Sequence, residues 1–537
     1  MPPTPAANPS PAVATARRES PLPLLAVLAG ALLLRLTGLG SRSLWTDEGS
    51  TWTAASAPLR ELIRLCAEKD ASPPLFYLLT SLALKFGDSE ALLRAVSMVA
   101  SLGMVYLTYR FARLLAARSE ATLAAMIVAL SPHQIMFGQE ARTYMLVALF
   151  TTWSLYLFAR AVVTERQRSW VPFVLVTALA LWTQGIAILG LGVQGAIAVF
   201  TAPGRRHLWR WGLAVVAAFA LYSPWLAISA SQASRLGHSH WYLQTPDGHE
   251  LFQVLRAVFL SPVPLVTPTP TASLPGLEVF LPRRVAHAIL IALPALPLIV
   301  ALRSASGGGT GPAIVRLAFL GLFLPLIAVD LISFRMPLWL PRYFVFVTPM
   351  LALVLARGLS SLRPRALGSV WAALLLLSSG YACFRYATDY GKEPWRDAVE
   401  HIATTGAPGR TAALVPFDLD AFRYYNLRQP VPVAAYEVSH PEVPFASSYT
   451  EAQLIEMERV ARDRAARFDE VWVVVRSPNS EIRRELARRT ERAAASDGRV
   501  LMAREIWNSM SGAVRLARYR RPAAGDSGAA GRTSSVR

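Results

Sequence analysis

Charge is scarce in this chain. Only 17% of its 537 residues are Asp, Glu, Lys or Arg, against 53% hydrophobic residues, which leaves too little polar surface for a soluble domain of this size. The deficit is on the acidic side, where 35 carboxylates face 54 basic residues for a formal charge of +19. Such an excess can mark a nucleic-acid binder, but that reading needs the arginines on one folded face. Here they sit in short clusters between apolar segments, so nucleic acid is not expected as a partner. Cysteine is scarcer still: Cys66 and Cys383 are the only two. Both fall near one membrane face where a disulfide is chemically permitted, and they are read as unrelated thiols. No Gly-rich phosphate loop is present, which removes the usual cytoplasmic nucleotide pocket. No small-residue cleavage site follows the first apolar run, so that run is expected to stay as an anchor.

What remains is apolar sequence in repeated long runs, the pattern of a polytopic α-helical membrane protein. Eleven spans are expected, near residues 21–39, 91–109, 121–137, 143–160, 170–183, 185–200, 211–229, 285–302, 312–333, 342–357 and 367–384. Residues 73–86 are too few for a crossing and read as an amphipathic juxtamembrane helix. Basic residues accumulate in short cytoplasmic loops. With the N-terminus inside, clusters such as Arg110, Arg113 and Arg118, or Arg357, Arg363 and Arg365, fall inside, while the short outer loops hold only Arg142, Arg335 and Arg342.

This topology divides the chain. Residues 1–20 are expected as a disordered cytoplasmic tail, and 21–384 as a transmembrane catalytic domain with outer loops at 40–90 and 231–284. The second loop, rich in Pro, Ser and Thr around 261–275, reads as a mobile cover. Residues 385–521 change to a soluble α/β pattern, expected outside, with helices near 395–404, 451–467 and 480–494 and strands near 412–416, 470–475, 500–506 and 513–519. Residues 522–537 read as a disordered tail.

In this topology the polar features of the spans and short loops converge on the outer surface. Asp47 and Glu48 are either a general base and its partner, a metal-ligand pair, or a solvated pair of loop carboxylates. Glu140, in a very short outer loop, can add a second carboxylate, directed at a divalent cation or at an acceptor hydroxyl. Mg²⁺ or Mn²⁺ would suit Asp47 and Glu140 together with a phosphate. A phosphate leaving group needs positive charge at the interface, for which Arg342, Arg142, Lys85 and Arg335 are the candidates, although an interfacial cation also serves as a simple anchor. Tyr343, Gln184, His133 and Trp45 are candidate substrate contacts, His133 being equally readable as structural because no second His lies at ligand spacing. Arg35 falls inside the first span, where an ionisable residue invites a functional or pairing explanation unless it snorkels to the outer end.

Taken in order, Ser43-Leu44-Trp45-Thr46-Asp47-Glu48, Ser72-Pro73-Pro74-Leu75-Phe76-Tyr77, Gln139-Glu140-Ala141-Arg142-Thr143-Tyr144, Pro341-Arg342-Tyr343 and Lys392-Glu393-Pro394-Trp395-Arg396 resemble the GT-C superfamily of membrane glycosyltransferases. The similarity is to its family 39-like bacterial group, related to protein mannosyltransferases and to the aminoarabinose transferase of lipid A, and it spans roughly residues 21–400. The resemblance implies a GT-C fold and a polyprenyl-phosphate-linked sugar donor, with Asp47 as catalytic base and Glu140 contributing to the site. It further implies an inverting transferase at the outer face of a bacterial inner membrane, acting on a lipid, glycan or protein acceptor. Ser72 stands where a His often precedes the Pro-Pro pair, and Gln184 where a His is common. A polysaccharide ligase or polymerase and a lipid flippase or transporter are the competing classes. A transporter would place ionisable or helix-breaking features at mid-membrane in paired halves, and no internal repeat is evident.

Overall fold

The computed structural model describes residues 20–522 except 71, 115, 166, 239–247, 260–282, 305–309, 335–338, 418, 440–448, 477–480 and 510–511. Arg335, both expected tails and the Pro-rich part of the second loop lie outside the described residues.

The membrane part is a helical bundle. Its first ten helices are α1 (Leu22–Leu36), α2 (Thr46–Ser56), α3 (Leu59–Glu68), α4 (Leu75–Leu84), α5 (Glu90–Arg113), α6 (Arg118–Ala129), α7 (Pro132–Gly138), α8 (Tyr144–Thr164), α9 (Trp170–Thr183) and α10 (Ile188–Phe200). Among the described residues, α5, α8 and the helices at Leu208–Gln232, Val315–Ser333, Pro341–Ser361 and Arg365–Asp389 are long and apolar enough to cross a membrane, as is the pair α6 and α7 if counted as one span bent by 56°. By length and composition that makes up to seven among the described residues, against eleven expected. The other four expected segments form the shorter apolar helices Leu22–Leu36, Trp170–Thr183, Gly185–Phe200 and Ile291–Ser304. At 1.5 Å per residue the 15 residues of α1 rise only about 22 Å.

The bend between α6 and α7 has a local cause. Pro132 has no amide proton, and Ser131 takes over as N-cap by accepting the Gln134 N–H at 3.4 Å. The interruption strands the last carbonyls of α6 in an apolar setting, where unsatisfied backbone is costly. Arg35 of α1 answers them: it donates to the Ala129 carbonyl at 3.1 Å, to its own helix at Ala31 at 3.1 Å, and through Nε to Ser101 Oγ at 2.7 Å. The Cys383 thiol donates to the Leu130 carbonyl at 3.2 Å. The buried arginine of the first span is thus spent on backbone. Cys66 and Cys383 are both free and buried.

After the bundle comes a five-stranded sheet of order β2-β1-β3-β5-β4, built from β1 (Thr411–Val415), β2 (Ala434–Glu437), β3 (Glu470–Arg476), β4 (Val500–Ser509) and β5 (Gly512–Arg520). β1 runs parallel to β2 and β3, while β5 is antiparallel to β3 and β4. β1 and β3 are almost continuously apolar because both faces are covered. Ala413, Val415, Trp472 and Val474 pack against the helices Trp395–Thr405 and Leu419–Asn426. Leu414, Val471 and Val473 face Glu451–Ala465 and Glu481–Ala494 on the other side. Sequence periodicity anticipates β1, β3 and three of these helices but not Leu419–Asn426 or β2, which lie in a stretch without clear period.

The sheet unit shares a core with the first loop. Leu44, Trp52, Leu93 and Ala141 join the same buried cluster as Trp395, Phe422 and Tyr424. Trp52 meets Tyr424 edge-on at 5.3 Å, Tyr425 Oη accepts the Leu44 N–H at 2.7 Å, and Thr53 Oγ1 donates to Asp420 at 2.8 Å. Closest approach is at Gly49, where a Cβ would lie 2.7 Å from the Ala421 Cα. Gly49→Ala should therefore force α2 from the helix Leu419–Asn426 at a cost of about 1–3 kcal/mol. Thermal unfolding of the purified variant checks this, and an unchanged midpoint would mean that the two units are not packed as described.

Candidate active site

The site is organised by the first turn of α2. Trp45 is extended at the N-cap (φ −98°, ψ 170°), and the Glu48 carboxylate reaches back to its N–H at 3.4 Å. Successive helical residues point about 100° apart, so the adjacent carboxylates meet opposite environments. Glu48 turns inward and is fully buried, whereas the Asp47 side chain keeps 32% of its exposure.

Glu48 has no free side. Arg94 of α5 grips it with both Nε to Oε1 (2.7 Å) and Nη2 to Oε2 (2.8 Å), Lys392 Nζ sits 2.9 Å from Oε2, and the Ala141 N–H donates to Oε1 at 2.9 Å. Burial alone would raise its pKa, but the Arg94 and Lys392 charges outweigh burial and hold it down, from 4.5 to about 2. The remaining Arg94 donors go to the Leu39, Arg42 and Ser43 carbonyls, and Lys392 also donates to the Gln139 carbonyl at 2.9 Å. This geometry leaves Glu48 no proton to exchange with a substrate, contrary to its expected place beside Asp47 as a catalytic group.

Asp47 faces the cleft instead. Its Oδ2 lies 3.6 Å from Nη1 of Arg342, on the 3₁₀ turn Pro341–Val347. Helix α7 holds that turn at two points: His133 Nε2 lies 3.1 Å from the Pro341 carbonyl, and Gln134 Nε2 donates to the Val345 carbonyl at 2.8 Å. Because a carbonyl only accepts, the His133 bond requires the Nε2–H tautomer. His133 is fully buried and its Nε2 is engaged with backbone. Two cations lie near the Tyr144 ring, with the Arg342 guanidinium 5.5 Å and that of Arg142 5.9 Å from its centroid. Tyr343 meets Tyr144 edge-on at 6.1 Å.

Arg142 is held loosely. Its Nη1 lies 3.4 Å from Tyr77 Oη, 3.5 Å from Thr51 Oγ1 and 3.6 Å from Asp70 Oδ2, and its buried Nε has no hydrogen-bond partner among the described residues. Asp70 is fixed by the Tyr77 hydroxyl at 2.5 Å and the Ser72 N–H at 2.9 Å. Glu140 is buried near these groups. Desolvation raises its pKa, opposed by Lys392 and Arg342 and reinforced by Glu48 and Asp47.

The remaining expected residues are more dispersed. Gln184 accepts the Thr143 hydroxyl at 3.1 Å, beside the Glu140 loop. Trp45 stays at the start of α2, its indole N–H buried and unpartnered among the described residues. Lys85 is exposed at the end of α4, and no contact among the described residues ties it to Asp47. Arg94, Lys392, Asp70 and Tyr77 had no role assigned from sequence, although Arg94 and Lys392 are the residues that decide which carboxylate is accessible. Their partners lie 46 and 344 positions away.

A divalent metal fits poorly. Asp47 already faces Arg342, and Lys392 and Arg342 both act on Glu140, so protein cations balance the carboxylates that would hold the ion. No group of three or more His, Cys, Asp or Glu side chains among the described residues is arranged to bind one. The expected Mg²⁺ or Mn²⁺ site is therefore not supported, and no chemical step is routed through it.

Glu48→Gln should be far more damaging to stability than Asp47→Asn, because it strands two buried cations, a change worth about 3–5 kcal/mol. The depressed pKa means that the Glu48 contribution is present above about 4.5 and is lost as pH falls towards 2. Melting curves should show a large gap between wild type and Glu48→Gln at neutral pH that begins to narrow below about pH 4.5; similar midpoints for Glu48→Gln and Asp47→Asn would refute the cage.

A profile of the dolichyl-phosphate-mannose-protein mannosyltransferase family matches residues 71–228. No curated protein matches the chain in sequence. Solved structures do match in fold. ArnT from Cupriavidus metallidurans bound to undecaprenyl phosphate is 16% identical, with a TM-score of 0.56 over 93% of this chain and 98% of that one. The oligosaccharyltransferase of Archaeoglobus fulgidus in its apo form is 14% identical, with a TM-score of 0.50 over 84% of this chain and 70% of that one. The matched segment is thus similar to that mannosyltransferase family, and the chain shares over most of its length the fold of these two membrane glycosyltransferases.

Proposed function

We propose that the protein is an inverting glycosyltransferase that moves a sugar from a polyprenyl-phosphate donor to a cell-envelope acceptor at the outer face of a bacterial inner membrane. The observation that carries this reading is the contrast between neighbouring carboxylates: Glu48 is locked among cations, while Asp47 remains in the cleft beside Arg342 at 3.6 Å. The fold match to a structure bound to undecaprenyl phosphate supports the donor class.

In this mechanism Asp47 accepts the proton of the acceptor hydroxyl as its oxygen attacks the anomeric carbon. The new carbon–oxygen bond forms opposite the bond to phosphate, which breaks with its electron pair leaving on the lipid phosphate, so the anomeric configuration inverts. Arg342 and Arg142, 5.5 and 5.9 Å from the Tyr144 ring centroid, take up the charge that develops on the phosphate. Glu140, only 4% exposed, is better placed to balance Lys392 and Arg342 than to bind an acceptor. Use of Arg35 as a backbone cap weighs against a transporter, since a mid-membrane charge would be its natural working group.

Asp47→Asn should keep the fold and lose turnover by about 10²–10⁴-fold, measured as polyprenyl phosphate released from donor lipid extracted from the producing cells. Near-normal turnover would remove Asp47 as the base. Arg342→Lys keeps the charge but not the planar fork, so it should raise the donor KM, with Arg342→Ala raising it further; unchanged donor dependence would leave Arg342 as an interfacial anchor. The arginine asymmetry favours eleven crossings with the N-terminus inside. Single cysteines placed at Arg206 and Ser361 should accordingly react only from the cytoplasmic side, and outside labelling at either position contradicts the topology.

A further inference from the structure

Glu393 lies in the short segment between the last helix of the bundle and the sheet unit, and is 1% exposed. Its Oε2 accepts three hydrogen bonds: from the Thr46 N–H at 3.1 Å, from the Thr46 hydroxyl at 2.9 Å and from the Trp395 indole at 2.8 Å. Its Oε1 lies 2.7 Å from Nε of Arg476, the last residue of β3. Thr46 is the first residue of α2, so Glu393 takes one of the amide protons that a helix start leaves unpaired, and a carboxylate there is also favoured by the helix dipole. Asp47 is the next residue. A chain of contacts therefore runs from a strand in the middle of the sheet, through one carboxylate, to the backbone that carries the candidate base.

We propose that Glu393, clamped by Arg476, is a positioning residue for Asp47, which makes the sheet unit a working part of the transfer site. The inference rests on the reading of Asp47 as general base. Glu393 makes no hydrogen bond or ion pair to Asp47 among the described residues; it acts through the first turn of α2. A general base must lie within hydrogen-bond reach of the acceptor hydroxyl, and a displacement of about 1 Å at such a group can cost about 10²-fold in rate. Glu48 fixes the same turn from inside the protein at its third position, but it does not engage the Thr46 amide. Glu393 and Glu48 hold the turn from two sides.

The test uses the full-length protein in liposomes, donor lipid extracted from the producing cells, and undecaprenyl phosphate as the binding probe. Glu393→Ala should lower kcat by about 10²-fold while donor KM and undecaprenyl phosphate affinity stay within about twofold of wild type. Glu393→Gln retains an oxygen for Thr46 and should recover most of the loss. Arg476→Ala should lower kcat by a smaller factor, and the double variant should be no slower than Glu393→Ala, as expected for groups acting in series. Wild-type kcat in Glu393→Ala, or kcat and KM changing together, would overturn the proposal. If Glu393→Ala does not fold, Arg476→Ala decides: reduced kcat at constant KM upholds the proposal and wild-type kcat overturns it. Asp47→Asn in the same assay separates the two ideas. An active Asp47→Asn removes the base assignment itself, whereas an inactive Asp47→Asn beside a fully active Glu393→Ala removes only the positioning role.

Discussion

A carboxylate with no access to water survives in its charged form only when its charge is answered on every side, and Glu48 is answered by Arg94, Lys392 and the Ala141 amide. Those partners come from three other parts of the chain: the N-terminal end of α5, the loop before α8, and the segment that follows the bundle. Glu48 is the one carboxylate shared by both buried cations, so the cage holds all four segments in one relation. The accessible carboxylate of the pair is defined by exclusion, since Glu48 is consumed by structure and Asp47 is not. Everything proposed about chemistry depends on that division.

The same end of the bundle is otherwise poor in continuous helix. α1 stops at Leu36, and Gln139 Nε2 takes up its freed carbonyls at Arg35 (2.9 Å) and Thr37 (2.7 Å) while Oε1 accepts from Arg42 at 2.6 Å. The break between α6 and α7 is satisfied by Arg35, and the turn that presents Arg342 is held by His133 and Gln134. Polar side chains buried in this region serve mainly to satisfy backbone that is not helical, which is the condition for irregular structure in an apolar surrounding. This holds in place the short elements that carry Asp47, Glu140 and Arg342.

Hydropathy made the bundle legible because an apolar run of span length has few alternatives, and the short, almost continuously apolar runs of β1 and β3 made their strands legible in the same way. The count of spans was less secure: α1, α9 and α10 are apolar but short, and a hydropathy window does not register the 3₁₀ turn at Gly185–Ala187 that separates the last two. Asp47 and Glu48 stood out as a pair, yet nothing local distinguishes them; burial is imposed by Arg94 and Lys392, and the second of these is 344 residues away. His133 and Arg35 look functional in sequence because polar groups among apolar ones are conspicuous, but what they bind is backbone carbonyl. Such partners have no sequence signature. Asp70 and Tyr77 were missed for the converse reason, since neither residue type is unusual between apolar segments.

In the free protein Arg342 rests against Asp47, and Arg142 spreads three long contacts over Thr51, Tyr77 and Asp70. The long Arg142 contacts are ones that an anion can displace. A lipid phosphate arriving beside the two guanidinium groups would draw Arg342 from Asp47 and free the carboxylate to accept a proton at the moment the leaving group is stabilised. A structure determined with undecaprenyl phosphate bound tests this most directly. The phosphate should lie within hydrogen-bond distance of Arg342 and Arg142, with Asp47 released into the cleft and the Glu48 cage unchanged. A phosphate bound elsewhere with the Arg342–Asp47 contact intact, or Glu48 turned out of its cage towards the ligand, would contradict the account.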